Sequence, residues 1–322
     1  MPNSRIAGTG SYLPEKVITN QDLEKIMDTS DEWIRERSGI KRRHVAADDE
    51  SSADMGLYAA RKALDAAGID ATDLDLIVVA TTTPDKVFPS TACIIQRRLD
   101  IHECPAFDVH AACAGFVYAL DVADRFIRTG GATTALVIGT ETYSRILDWE
   151  DRSTAVLFGD GAGAVVLQPT EEEGIIRTAI HADGKFEDLL HVPKGISTGY
   201  SPEDPEGAYI QMKGHAVFKK AVATLDSMAR EALEHSGHGA DEIDWLVPHQ
   251  ANLRIIAAAA KKFNLPMDRV VVTVDEHANT SSASIPLALD VAVRDGRIKR
   301  GELLLFEAFG AGFTWGSTLV RF

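Results

Sequence analysis

Residues 107–123 read FDVHAACAGFVYALDVA, and a variant of that stretch returns at 274–292 as VDEHANTSSASIPLALDVA. Each copy has Asp-x-His, a run of small residues, then Ala-Leu-Asp-Val-Ala. The copies are 167 residues apart at Asp108 and Asp275 and 169 apart at Leu120 and Leu289, so two residues are inserted between those points. A further echo, DLDLIVV at 73–79 and DEIDWLV at 241–247, is 168 residues apart. Two unrelated strand–turn–helix stretches seldom agree three times in one register, so the chain reads as a duplication. The division falls into residues 1–170 and 171–322. Two similar halves packed together place their functional loops where they meet, at the carboxyl ends of strands.

Within each half, short apolar and largely β-branched runs predict buried strands. These are LIVVATT (76–82), PAFDV (105–109), ALVIGTE (135–141), GAVVLQ (163–168), DWLVP (244–248), VVVTV (270–274) and LLLFEAF (303–309). Helical periodicity marks 52–68, which stops at Gly68, and 219–237. Strands alternating with helices imply an α/β fold with mixed or parallel sheets. The Gly-, Pro-, Ser- and acid-rich segment from Asp183 to Gly207 reads as an excursion near the junction of the halves.

The formal net charge of −15 argues against a nucleic-acid partner, because such proteins are usually basic. Any anion must be met by a local cationic patch. There is no apolar run long enough to span a membrane and no secretory pattern at the start, so a cytoplasmic location is expected. The three cysteines, Cys93, Cys104 and Cys113, fit a reducing compartment better than a disulfide framework. They form no paired motif that would hold zinc, so no metal is expected.

Cys113 stands out among them. It follows a predicted strand and precedes the helical run GFVYALDVADRFIRTG, among Ala111, Ala112, Ala114 and Gly115. Unpaired amides and the dipole at a helix start favour a thiolate, and small neighbours let a substrate approach. A buried, inert thiol is the competing reading, since most free cysteines are of that kind. Two other strand ends stop abruptly at polar residues: His249 and Asn252 in WLVPHQANLRI, and His277 and Asn279 in DEHANTSSAS. Singly, each is as well explained as a helix cap. Together with Cys113 they make a Cys/His/Asn set, compatible with a cysteine protease or with carbon–carbon bond formation. No local protease signature surrounds Cys113.

The motifs TSDEWI, FPSTAC, CPAFDVHAACAGF, FGDGAGAVVL, DWLVPHQANLRI and FGAGFTWGS, in that order, resemble those of the β-ketoacyl-acyl-carrier-protein synthase III family. The resemblance extends from GTGSYLP near the start to FTWGSTLVRF at the end. It implies the thiolase-like fold, five α-β-α-β-α layers built from two duplicated halves with mixed sheets. It also implies an acyltransferase that joins a short acyl-CoA, acetyl-CoA above all, to malonyl-acyl carrier protein, without a cofactor and as a homodimer. Cys113 would be acylated, and His249 and Asn279 would activate the malonyl thioester. The amides of Cys113 and Ala311 would form the oxyanion hole. Trp33, Arg37, Arg152, Gly214, Phe218, Ala251 and Asn252 would bind coenzyme A and its pantetheine arm. Tyr143 would line the acyl pocket and limit the primer, and Phe88 would reach the pocket of a partner subunit. Arg254 and Lys261, two helical turns apart, would dock the acidic carrier protein, with Lys262, Lys219 and Lys220 as secondary candidates. Members often carry Gly where this chain has Ala278 and Ala311, and a small residue where it has His110, which is given no catalytic role.

The rivals are a relative with another primer or a secondary-metabolite product, a thiolase, a hydroxymethylglutaryl-type synthase and a non-catalytic scaffold. A thiolase needs a second cysteine, and the C-terminal half has none. No motif supplies the Glu base of a hydroxymethylglutaryl-type enzyme. The intact Cys/His/Asn set argues against a scaffold.

Overall fold

The computed structural model describes residues 2–322. Nine principal strands form two sheets: β1 (Asn3–Tyr12), β2 (Leu76–Ala80), β3 (Ala106–Val109), β4 (Ala135–Glu141) and β5 (Gly161–Thr170), then β6 (Ile175–Ala182), β7 (Trp245–Pro248), β8 (Leu303–Gly310) and β9 (Thr314–Arg321). Seven helices position the rest: α1 (Asp31–Ser38), α2 (Ser52–Ala67), α3 (Thr91–Arg98), α4 (Gly115–Arg128), α5 (Gly214–Leu233), α6 (Leu253–Lys262) and α7 (Ser284–Arg294).

The first sheet runs β1-β5-β4-β2-β3 and the second β6-β9-β8-β7. In the first, β1/β5 and β5/β4 are antiparallel and β4/β2 and β2/β3 parallel. In the second, β6/β9 and β9/β8 are antiparallel and β8/β7 parallel. A single parallel bridge from Leu246 to Val270 stands where β3 stands in the first sheet. The sheets thus share one strand order and one set of directions, as the duplication requires.

Helices α4 and α7 lie between the sheets, α2 and α3 cover the outer face of the first, and α5 and α6 cover that of the second, giving five layers. The central helices are the two copies of the repeat. Each keeps a buried Asp with an Arg one turn on: Asp121 binds Arg125 at 2.7 Å, and Asp290 binds Arg294 at 3.2 Å. Asp290 also accepts hydrogen bonds from Thr9 Oγ1 at 2.7 Å and Ser11 Oγ at 2.6 Å, tying α7 to β1.

Several elements differ from the sequence expectation. VVVTV forms no strand, because Gln250 takes over its ladder: Oε1 accepts from Thr273 and Val274 N–H, and Nε2 donates to Val271 and Pro248 carbonyls. Helix α5 begins five residues earlier than periodicity indicates, at Gly214, and ends at Leu233. β1, β6 and β9 carry too little apolar alternation to be picked out. β1 is glycine-rich for a packing reason: a Cβ at Gly8 or Gly10 would lie 2.3 Å from the main-chain oxygen of Ala63 or Ala59, so α2 rests directly on the strand.

Candidate active site

β3 delivers the chain to a tight elbow. Ala112 takes φ 46°, a left-handed conformation that resists larger or branched side chains, and Cys113 follows in a 3₁₀ turn over Ala112–Ala114 that leads into α4. Cys113 is buried, 4% exposed. Burial pushes its thiol up to about 12, Ser281 and its own amide pull it down, and the charge of Glu141 pushes it up. The helix start therefore does not yield a resting thiolate as the sequence suggested, because desolvation outweighs the amides. Gly310, at the end of β8, packs on this elbow. A Cβ there would lie 2.6 Å from the amide nitrogen of Cys113.

His249 follows β7, as strand 244–248 predicts, and is buried. Its Nδ1 is 2.7 Å from Ser284 Oγ. Ser284 Oγ also accepts from the Gln250 amide, at 3.3 Å, and Nδ1 is the one acceptor its own hydrogen meets among the described residues, so that hydrogen points to Nδ1. Nδ1 is then the acceptor and Nε2 carries the proton. Burial lowers the imidazole pKa to about 3, so the ring is neutral and donates from Nε2. Asn279 Oδ1 accepts from Ser281 N–H at 2.9 Å, which leaves its amide N–H₂ free to donate. Its main chain is held by Leu157 and Gly159. Two fixed neutral donors and a thiol thus come from the ends of β3 and β7 and from the turn that precedes α7.

These three line one cavity of about 540 Å³, within the range of small-molecule sites. The cavity runs from Cys113, His249 and Asn279 past Phe158, Leu190, Met212 and Phe309 to a rim of Trp33, Arg37, Arg152 and Arg254. Gly214, Phe218, Ala251 and Asn252 also line it. The Arg37 and Arg152 guanidinium carbons lie 4.6 and 5.1 Å from the Trp33 ring centre, and Arg254 lies 5.1 Å over Phe218. Asn252 caps α6 through Arg254 N–H and donates to the Arg37 carbonyl at 2.8 Å, joining α6 to α1 at the rim.

Other predicted residues lie elsewhere. Tyr143 does not line the cavity: its ring stacks behind Phe158 at 5.0 Å, and its hydroxyl is drawn 3.2 Å from Thr82 and 3.1 Å from Ser281. Phe158, not Tyr143, is the aromatic that lines the cavity there. Phe88 is 81% exposed, on the loop before α3. Ala311 lies one residue beyond the lining residue Gly310. Thr314 Oγ1 holds it, bonding both the Ala311 and Ala111 carbonyls. His277 faces His44 rather than the cavity. His110 is exposed at the end of β3. Lys261 is exposed on α6, Lys262 is paired with Asp226, and Lys220 sits over Phe186. Cys93, within α3, and Cys104, bonded to Gln96 of that helix, are half-buried.

Sequence reasoning missed Ser284, Gln250, Ser281 and Glu307. Ser281 and Ser284 sat in plain view in SSAS, but a serine run before a helix reads as a cap. Gln250 and Glu307 adjoin apolar strand residues, and only burial distinguishes them.

Two sequence profiles match the chain, "3-Oxoacyl-[acyl-carrier-protein (ACP)] synthase III" over residues 107–184 and its C-terminal counterpart over 233–322. A "Beta-ketoacyl-[acyl-carrier-protein] synthase III" of Thioalkalivibrio sulfidiphilus is 66% identical over 322 residues, covering all of both chains. The crystal structure of 3-oxoacyl-[acyl-carrier-protein] synthase III from Aquifex aeolicus superposes with TM-score 0.93 at 50% identity, over 99% of this chain and 100% of that one. A priming β-ketosynthase of the R1128 polyketide pathway gives 0.93 at 39% identity, over 99% and 96%. Fold and site together define a thiolase-fold condensing acyltransferase. Within that class, the chain belongs to the β-ketoacyl-acyl-carrier-protein synthase III family.

Proposed function

We propose that the protein initiates fatty-acid synthesis by decarboxylative condensation of a short acyl-CoA, acetyl-CoA first, with malonyl-acyl carrier protein. The observation that carries this is the convergence of Cys113, His249 and Asn279 at the buried end of one cavity whose rim bears Trp33 and three arginines.

The Cys113 thiol loses its proton and attacks the primer's thioester carbonyl. The Cys113 amide, with that of Ala311, stabilises the tetrahedral oxyanion. Coenzyme A leaves with a proton, and the acyl group stays on sulfur, as in ping-pong catalysis. The pantetheine arm of malonyl-acyl carrier protein then occupies the same cavity along Gly214, Phe218, Ala251 and Asn252. Nε2–H of His249 and the Asn279 amide donate to the malonyl thioester oxygen. Carbon dioxide departs, and those donors hold the enolate oxygen. The carbanion attacks the acyl thioester, the β-ketoacyl chain leaves on the carrier protein, and the Cys113 sulfur takes up one proton. No strong base is needed, because loss of carbon dioxide generates the nucleophile.

The same proposal includes coenzyme A stacking on Trp33 and Arg152, with Arg37 beside them. It includes carrier-protein docking at Arg254 and Lys261, and a homodimer in which the exposed Phe88 enters the partner's pocket. It places the protein in the cytoplasm, working without a cofactor. No helix of the described residues is long and apolar enough to cross a membrane. We also retain residues 1–170 and 171–322 as the two halves. A polyketide-priming role is the second reading, favoured by the likeness to the R1128 enzyme. A primer scan with acyl-CoAs of increasing length separates the two: activity confined to the shortest primers supports fatty-acid initiation. Mass spectrometry after acetyl-CoA treatment should find the acetyl group on Cys113, and acetylation of Cys93 or Cys104 instead would overturn the site.

A further inference from the structure

Glu307 lies in β8 opposite Pro248, and its carbonyl accepts the His249 amide at 2.7 Å. Its side chain is 2% exposed, and neither carboxyl oxygen meets a polar partner among the described residues. Burial raises its pKa to about 8, so at neutral pH it is an acid with a hydrogen to donate. The mechanism above makes no use of it. Buried polar groups almost always have a partner, so an orphan of this kind calls for an explanation.

Glu307 and His249 both line a second cavity of about 30 Å³. The walls are otherwise apolar, including Leu225, Ile256 and Ala259, and the cavity adjoins the large one, sharing Ala221, His249, Ala251, Ile255 and Phe309 with it. His249 is the one other titratable side chain that faces it; helices α5 and α6 and strand β7 contribute none. That volume suits one water molecule. A metal ion would need several oxygen ligands, and these walls offer a single carboxyl.

We propose that this chamber is a site for one ordered water held by Glu307, and that Glu307 is thereby a positioning residue for His249 during decarboxylation. This inference rests on the assignment of His249 above. The water accepts the hydrogen of Glu307 and fills the space behind the imidazole, which keeps the ring from tilting away from the thioester oxygen. A neutral Glu307 also keeps negative charge away from the enolate forming in front of His249. Once ionised, it opposes that charge. Decarboxylation therefore falls as pH rises through the titration of Glu307, while acylation of Cys113 is less affected.

The test compares the wild-type protein with Glu307→Gln and Glu307→Leu. The rates of Cys113 acetylation and of malonyl-thioester decarboxylation are measured separately across pH, and thermal unfolding confirms that each variant is folded. Glu307→Gln, which keeps a donor and cannot ionise, should hold the neutral-pH rate and lose the alkaline fall. Glu307→Leu should slow decarboxylation by up to roughly 10²-fold, the scale of a small misplacement, and leave acetylation near normal. A high-resolution crystal structure should show one water on Glu307 in the wild type. A dry chamber, a rubidium anomalous peak in it, an alkaline fall retained in Glu307→Gln, or normal decarboxylation by folded Glu307→Leu each overturns the proposal. His249→Ala is run alongside. Normal decarboxylation there removes the site assignment itself, whereas impaired His249→Ala with unaffected Glu307 variants removes this inference alone.

Discussion

Ala278, between His277 and Asn279, is held at φ 58°, ψ −161°, a region that suits glycine. The strain persists because main-chain bonds from both sides fix Asn279. Ala278→Gly should relieve it and raise stability by about 1 kcal/mol, after the entropy that glycine loses on folding is counted. Urea unfolding measures this; a lower midpoint in the variant would show that the backbone is unstrained there. Ser284 carries a second consequence. Without its hydroxyl, nothing fixes the proton of His249 on Nε2, so Ser284→Ala should slow malonyl decarboxylation roughly tenfold or more, up to the 10²-fold scale of a lost donor. Acetylation of Cys113 should continue, and an equal loss in both half-reactions would point to general damage instead. At this scale Cys113 and His249 were legible because chemistry-bearing types follow apolar strands, and Asn279 because it follows an apolar run, although that run forms no strand. Ser284, Gln250 and Glu307 were not, since what distinguishes them is the partner each finds or lacks in three dimensions.

Among the elements, the parallel strands, the antiparallel but largely buried β5 and both central helices were readable, because burial on two faces leaves continuous apolar runs and the repeat marked α4 and α7. The antiparallel strands β1, β6 and β9 were not, and VVVTV misled because a buried glutamine can replace a ladder that apolar composition alone suggests. Asp290 shows how an element is pinned by more than packing. It gathers Thr9, Ser11 and Arg294 in a buried spot between α7 and β1. Asp290→Ala leaves those donors without an acceptor and should cost about 2–4 kcal/mol. Asp290→Asn should recover part of that loss. Indistinguishable unfolding midpoints for the alanine variant and the wild type would mean that water replaces the carboxylate.

For the whole molecule, charge and pH set two expectations. An acidic enzyme of net charge −15 must meet an acidic carrier through a local patch. Arg254→Glu with Lys261→Glu should weaken condensation with malonyl-acyl carrier protein, most at low salt, and spare acetylation by free acetyl-CoA. A loss that does not change with ionic strength would speak against docking there. Burial also lowers the pKa values of His249 and His277 to about 3 and 4, from 6.5. Their stabilising contribution is complete above pH 6.5 and is lost as the medium is acidified toward those values, because the unfolded chain then binds protons that the fold refuses. His277→Gln should flatten that decline in urea titrations between neutral and mildly acid pH, and an unchanged slope would assign it to other groups.

Ala112 and Ser281, 169 residues apart, share the same left-handed turn, at φ 46° and 49°. By that register Ser282 is the twin of Cys113. Its hydroxyl donates to Glu141 at 2.8 Å and to the Ala80 carbonyl at 2.9 Å, both in the opposite half. One elbow thus presents a reacting sulfur, and its double is a rivet through the seam of the molecule. The second copy clamps the sheet that carries the first. Substitutions at Ser282 will therefore be felt at Cys113, although the serine does not line the cavity.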